Sequence, residues 1–421
     1  MMKANNVIRV FEHQSLRLKP QGELNKHHFD ALLRFNSKNK NKFYTVGHNK
    51  ITFNQYVGVI QVKGLTIEVL PKADNDPSNN YDKWSNALIT MLKECKLIKL
   101  ESLTNAYLKT KSSSLIDIYF DSFLTEVEKL LRQGLSKKYR RIENNIDVLK
   151  GKLSFNNHIK RNYIHKEKFY CEYQSYDKNH LLNQILLKAV HILSQLTLNS
   201  DLLSRAKSIL FDFDDIKVVD ISEKDFKNLI LNRNTERYKY ALTLAKLIIL
   251  NYSPDLKAGE EDVLAILFDM NKLYENFIYR KLKKVMRMYP NINIKEQFRK
   301  KFWQTRGIKP DIYIEDLSNK KKIVIDTKWK VLTELKPSDE DLKQMFVYNH
   351  YYDTCLSILL YPKVSVDSDL KKPYHPYNDE DNDLYCQMCF VDLFDESQKQ
   401  IKRNLGEHIY KELLEQELSE L

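Results

Sequence analysis

The sequence predicts a mixed α+β protein: a β-rich N-terminal region, a helical middle region and a C-terminal α/β core. Three observations carry this. Apolar residues recur with a period of two at 53–60 and 65–70, which indicates strands. Between about 112 and 250 the apolar positions recur at helical spacing, as in Leu124, Val127, Leu130 and Leu131 and again over 181–196. Beyond Ser253-Pro254 the order reads helix, hairpin, helix, strand. A chain of 421 residues is long enough for two or three cores. The divisions expected are 1–110, 111–252 and 253–421. With only 9 Gly and 10 Pro, long flexible linkers are not expected between them.

Taken in order, the N-terminal strands are followed by a helix near 84–97. The middle region holds the two amphipathic helices just named, with strand-like segments around Gly151 in 146–173. The C-terminal region opens on a helix whose stripe is Val263, Leu267, Met270, Tyr274, Phe277, Ile278, Leu282 and Val285, with Glu275 at its margin. Two strands follow, 311–315 and 323–328, around a polar Ser318-Asn319 turn. Ser338 begins S-D-E-D, which resembles a capping box, ahead of a helix carrying Gln344 and Tyr348 on one face. Residues 355–361 read as a buried strand, 377–383 as an acidic loop and 397–421 as a closing helix.

The hairpin carries the chemistry. It reads K-P-D-I-Y-I-E-D-L-S-N-K-K-K-I-V-I-D-T-K-W-K over 309–330. A turn centred on Ser318-Asn319 pairs positions whose numbers sum to 637, which sets Asp311 opposite Asp326. Opposed residues of an antiparallel pair have Cβ atoms roughly 4.5–5.5 Å apart, close enough for both carboxylates to hold one divalent cation. Lys328, two residues on, projects from the same face as Asp326. Hard carboxylate oxygens suit Mg²⁺, which is held by one or two of them plus waters and a substrate phosphate. Such a cation polarises a scissile phosphate, and Lys328 orients the attacking water or meets the charge developing on phosphorus. Asp311, Asp326 and Glu275 are the expected metal ligands; these with Lys328 and Gln344 are the expected catalytic set.

Composition supports a polyanionic partner. There are 68 Lys+Arg against 56 Asp+Glu, a formal charge of +12. Arg280, Lys281, Lys283, Lys284 and Arg287 crowd the end of the Glu275 helix, while Arg299, Lys300, Lys301, Arg306 and Lys309 precede Asp311. Arg280, Lys284, Arg306, Lys309 and Tyr348 are the expected DNA contacts. No G-x-x-x-x-G-K-[ST] occurs, so the chain is not expected to bind nucleotide alone. No apolar stretch of spanning length and no signal peptide are found, and five cysteines suit a reducing compartment; a cytoplasmic protein is expected. The C-x-x-C of Cys386 and Cys389 lies in an apolar strand-like run, where burial is favoured over zinc. A four-cysteine iron-sulfur arrangement is not evident.

At this point the chain resembles a family. The run P-D(311)…D(326)-T-K(328), with L-Y-E(275)-N-F before it and Q(344)-M-F-V-Y(348) after it, is similar to the PD-(D/E)xK nuclease domain of McrC proteins, the endonuclease subunits of McrBC-type restriction systems specific for 5-methylcytosine. N-Q-Y-V-G-V-I-Q-V-K-G-L-T-I-E-V-L-P-K at 54–72 resembles McrC N-termini. So do L-K-G-K-L-S at 149–154, F-Y-C-E-Y at 169–173 and D-K-N-H-L-L-N-Q-I-L-L-K-A at 177–189 the segment joining the two ends. The resemblance implies a restriction-endonuclease-like α/β core at 253–421 and Mg²⁺-dependent cleavage of double-stranded, modified DNA. It also implies an McrB-like AAA+ GTPase ring as partner, engaged by the N-terminal portion and stimulated in its GTP hydrolysis. The alternative is a non-catalytic adaptor that activates such a motor on a nuclease-like platform.

Overall fold

A computed structural model describes residues 6–18, 24–62, 64–74, 80–98, 114–253, 262–332, 336–363, 384–395, 397, 399–415 and 418. The acidic 377–383 stretch therefore lies outside the described residues. Backbone contacts divide the chain into two compact units. One holds Gln61–Gly64 and Glu101–Ile266; the other holds Asn6–Ile60, Leu65–Leu100 and Leu267–Leu421. The units are thus not consecutive segments, and the N-terminal strands group with the C-terminal core. No described helix is long and apolar enough to cross a membrane.

The first unit is built on helices Leu115–Arg132, Leu181–Leu196, Ser200–Phe211 and Lys239–Leu250, which pack on one another. Their apolar stripes are buried, and the predicted Leu124, Val127 and Leu130 are all in the core. A three-stranded antiparallel sheet of Lys138–Ile146, Phe169–Asp177 and Lys152–Leu153 matches the strand-like reading around Gly151. Gly151 sits at φ +70°, and a Cβ there would collide with the Glu172 carbonyl and the Tyr173 side chain, so both backbone sign and space demand glycine.

In the second unit, Asn6–Phe11 pairs in parallel with Leu65–Leu70, and helix Tyr81–Glu94 follows. The site-bearing sheet has the order Ile292–Glu296, Ile312–Asp316, Lys322–Thr327, Leu356–Pro362, Tyr385–Val391. Its first three strands are antiparallel, and the last three run parallel. Helix Asp339–Tyr352 makes the crossover between the parallel strands Lys322–Thr327 and Leu356–Pro362 and covers one face. There Tyr313, Val324, Leu359, Cys386 and Met388 pack with Met345, Tyr348 and Tyr352. Pleating sends alternate residues to that face, so the parity that buries Tyr313 and Val324 also aims Asp311, Asp326 and Lys328 toward the helix. Three residues apart on a strand, Cys386 and Cys389 point to opposite faces; both are fully buried.

The hairpin register is as expected. Ile312 faces Ile325, Tyr313 faces Val324 and Ile314 faces Ile323, each pair summing to 637. The turn is four residues, closed by the Asp316 N–H donating to the Lys321 carbonyl at 2.9 Å. Two expectations change. The helix placed from Val263 begins only at Met270: residues Val263–Asp269 form a strand whose first four residues are buried, and Asp269 caps the helix by accepting from the Asn271 N–H at 3.1 Å. The continuous apolar run V-L-A-I-L-F fits a strand buried on both faces as well as it fits a helix stripe. The closing helix is also shorter than 397–421. Ile401 bridges Phe394, and helical turns run over Leu405–Ile409 and Tyr410–Leu414. There Gly406 packs so closely on the Met270–Met286 helix that a Cβ would strike the Lys281 carbonyl carbon at 2.8 Å.

Candidate active site

Asp326 lies at the carboxyl end of its strand, where open α/β sheets place ligands. Its carboxylate is 5% exposed and takes the Lys328 Nζ at 2.7 Å and the Gln344 amide at 3.2 Å. Asp311, just before its own strand, accepts from the Thr327 N–H at 2.7 Å and from the Thr327 hydroxyl at 2.8 Å. These bonds fix its rotamer beside the end of the neighbouring strand. Asp311, Asp326, Lys328 and Gln344 are thereby brought together in one place.

Tyr348 completes the frame. Its hydroxyl accepts from the Gln344 amide at 2.7 Å and donates to the Lys309 carbonyl at 2.8 Å, tying the helix to the residue before Pro310-Asp311. It is buried. Glu275 reaches the rim from the Met270–Met286 helix, where its carboxylate accepts from the Gln297 amide at 2.8 Å. Lys309 Nζ donates to the other end of Gln297 at 2.8 Å.

The electrostatics are those of carboxylates crowded out of water. Burial raises the Asp326 carboxyl well above its ordinary range, the like charge of Asp311 adds to this, and Lys328 opposes it. Burial also raises Asp311 against the Thr327 hydrogen bonds and the charges of Lys328 and Lys309. Glu275 is pushed up to about 7 by burial and then by Asp311. For Lys328, burial works against the charge, but Asp326 and Asp341 outweigh it and hold the amine protonated.

Asp341 was not singled out in the sequence. Its carboxylate takes Lys328 Nζ at 3.0 Å and Lys330 Nζ at 2.7 Å. Despite partial burial, the bonds from Lys330, Lys328 and Ser338 bring it down to about 2. The signal was available: Asp341 precedes Gln344 by three and so shares its helix face. Glu12 was also missed, and no local pattern announces it. It accepts the Trp329 indole N–H at 2.7 Å and the Lys72 N–H at 3.1 Å on one oxygen, and its buried Oε2 has no hydrogen-bond partner. Trp329 follows Lys328 directly and packs on Tyr274, the neighbour of Glu275, with ring centroids 5.1 Å apart.

The basic residues divide. Lys284 and Arg306 are exposed, but Lys281 is buried and paired with Glu94 at 2.9 Å, and the Arg280 Nε donates to Asn276 at 2.6 Å. The helix end is thus less of a cationic rim than its sequence implies.

Among the described residues, no group of three or more His, Cys, Asp or Glu is arranged to hold a metal ion by itself. The donor set is a buried and a half-buried carboxylate whose charges oppose each other. That fits a hard cation that keeps several waters and shares its shell with a phosphate.

A family model described as McrBC 5-methylcytosine restriction system component matches residues 51–362. The Type IV methyl-directed restriction enzyme EcoKMcrBC of Escherichia coli (strain K12) is 25% identical over 192 residues, 45% of this chain and 53% of that protein. The chain therefore spans about half the length of this curated relative. The fold is similar to a chain of the refined half-complex from a tetradecameric assembly of Thermococcus gammatolerans McrB AAA+ hexamers with bound McrC. The TM-score is 0.69 at 22% identity, covering 96% of this chain and 100% of that one.

Proposed function

Since this chain belongs to the family of McrBC 5-methylcytosine restriction system components, we propose that it is the McrC-type endonuclease subunit of such a system, with a PD-(D/E)xK site at Asp311, Asp326 and Lys328. One observation carries the reading. The buried Asp326 carboxylate, the half-buried Asp311 carboxylate and a lysine amine converge at the end of a strand pair, with the amine 2.7 Å from Asp326. In this reading the protein acts in the cytoplasm on double-stranded, modified DNA. An McrB-like AAA+ GTPase ring supplies energy and recognition, and the portion of the chain before about residue 250 engages it.

Asp311 and Asp326 would hold a Mg²⁺ ion, with Glu275 as the third acid at the rim; the bound ion supplies polarisation of the scissile phosphate and a more acidic water. The chain's own residues do the rest. Thr327 fixes Asp311, and Gln344, held by Tyr348, fixes Asp326. Lys328, kept protonated by two carboxylates, is suited to stabilise charge building on the phosphate oxygens rather than to take a proton. Lys309 and Arg306, both exposed, would meet the phosphate backbone of the DNA.

The test is Asp326→Asn assembled with the AAA+ partner, Mg²⁺, GTP and methylated DNA. Cleavage is expected to disappear while partner binding and GTPase stimulation persist. Full cleavage by this variant removes the site assignment. If the unaltered complex leaves every modified DNA intact, the adaptor function is what remains.

A further inference from the structure

We propose that the two-stranded hairpin Lys300–Trp303 and Arg306–Ile308 is a DNA-engaging element whose Phe302-Trp303 tip stacks on bases beside the scissile phosphate. This rests on the nuclease reading above, and extends it to how the substrate is gripped. The tip leaves two large aromatic rings in water: Trp303 is 59% and Phe302 48% exposed. Neither contributes to a core.

The chain keeps the tip in shape. The ladder shifts register between Lys301 and Trp303, a bulge of the kind that re-aims side chains near active sites. Gln304 takes φ 49° in the turn, and the Arg299 guanidinium donates to the Thr305 carbonyl at 2.7 Å. Gly307 admits no side chain, because a Cβ there would meet the Lys300 carbonyl at 2.8 Å and the Arg299 side chain. Lys300 Nζ donates to the Tyr351 carbonyl at 2.8 Å, and the Phe302 ring lies 5.2 Å from that of Tyr351, which ties the hairpin to the Asp339–Tyr352 helix. The Arg306 guanidinium lies 5.9 Å from the Trp303 ring centroid. A preorganised aromatic tip binds with little ordering cost.

Charge selects the occupant. From Arg299 to Lys309 there are five cations, Arg299, Lys300, Lys301, Arg306 and Lys309, and no carboxylate. Between this hairpin and the helix lies a groove of about 450 Å³ lined by Ile308, Lys309, Lys343, Gln344, Val347 and Tyr348. Gln344 is also the residue that bonds Asp326. A groove lined by the site's own glutamine and by two lysines, walled on one side by a hairpin whose tip carries exposed rings, suits a nucleic acid: cations follow the backbone and rings take the bases.

Intrinsic fluorescence isolates the tip, because Trp84 and Trp329 are buried and Trp303 is not. The full chain is titrated with a short DNA duplex, and with one of its strands, in Ca²⁺ instead of Mg²⁺. DNA is expected to quench wild-type emission, with no such quench in Trp303→Phe. By anisotropy of labelled DNA, Trp303→Ala is expected to bind about tenfold more weakly, the loss of roughly one stacked base. Its melting temperature and its stimulation of the partner's GTPase should not change. Equal affinity in Trp303→Ala with an unquenched wild type overturns the proposal, as does loss of partner binding instead of DNA binding. Cleavage of methylated DNA by the complex assembled with the AAA+ partner, Mg²⁺ and GTP separates the two readings. If wild type cuts and the Trp303 variants bind and cut like it, the tip assignment fails alone; if wild type never cuts, the nuclease reading fails whatever the tip does.

Discussion

Replacing Glu12 by Gln tests how the N-terminal segment supports the site. Burial holds the Glu12 carboxyl at about 7 against an ordinary 4.5, in spite of the hydrogen bonds from Trp329 and Lys72. Because the folded value is the higher one, the acid's stabilising contribution is complete below about pH 4.5 and is lost as pH rises through about 7. Moving the carboxyl from 4.5 to about 7 corresponds to roughly 3 kcal/mol. Glutamine keeps a carbonyl acceptor for the indole and does not titrate. It places an NH₂ where Oε2 has no hydrogen-bond partner, a cost of about 1–3 kcal/mol at every pH. The variant should therefore melt below wild type at pH 5 and close most of that gap by pH 8. At about 2 °C per kcal/mol for a unit of this size, the two melting curves should converge by roughly 6 °C across that range. Thermal melts from pH 4.5 to 8.5 decide it. Curves that stay parallel would show that Glu12 titrates outside this range, and the argument from its burial would be wrong.

Three further outcomes follow from the contacts. Asp341→Asn removes the second carboxylate from Lys328 and one partner of Lys330, so cleavage by the assembled complex should fall about ten- to a hundredfold with DNA affinity little changed. A cleavage rate equal to wild type would show that Asp341 does not position the amine. Gly406→Ala forces a methyl group against the Lys281 carbonyl and should lower stability by about 1–3 kcal/mol, read as a lower melting temperature. Tyr348→Phe loses the bonds to the Lys309 carbonyl and from Gln344, and should reduce cleavage while DNA binding persists; a simultaneous loss of both would place Tyr348 at the DNA instead.

What the sequence determined by itself was local and periodic. Apolar alternation and apolar runs marked strands, and a turn centred on Ser318-Asn319 set the register that pairs Ile312 with Ile325. From that register and the pleat, the convergence of Asp311, Asp326 and Lys328 followed by geometry. Helix spacing likewise put Gln344 and Tyr348 on one face, where they bond each other. The apolar run at Val263–Asp269 misled, since a strand buried on both faces carries no period to tell it from a helix. Tertiary structure alone decided which distant groups meet. Glu12 reaches Trp329 across 317 positions, and Lys281 turns inward to Glu94 although it stands in a basic run with Arg280, Lys283 and Lys284. Such pairs are set by how whole elements pack, and a buried charge settles wherever a partner can satisfy it, which no short window of residues encodes.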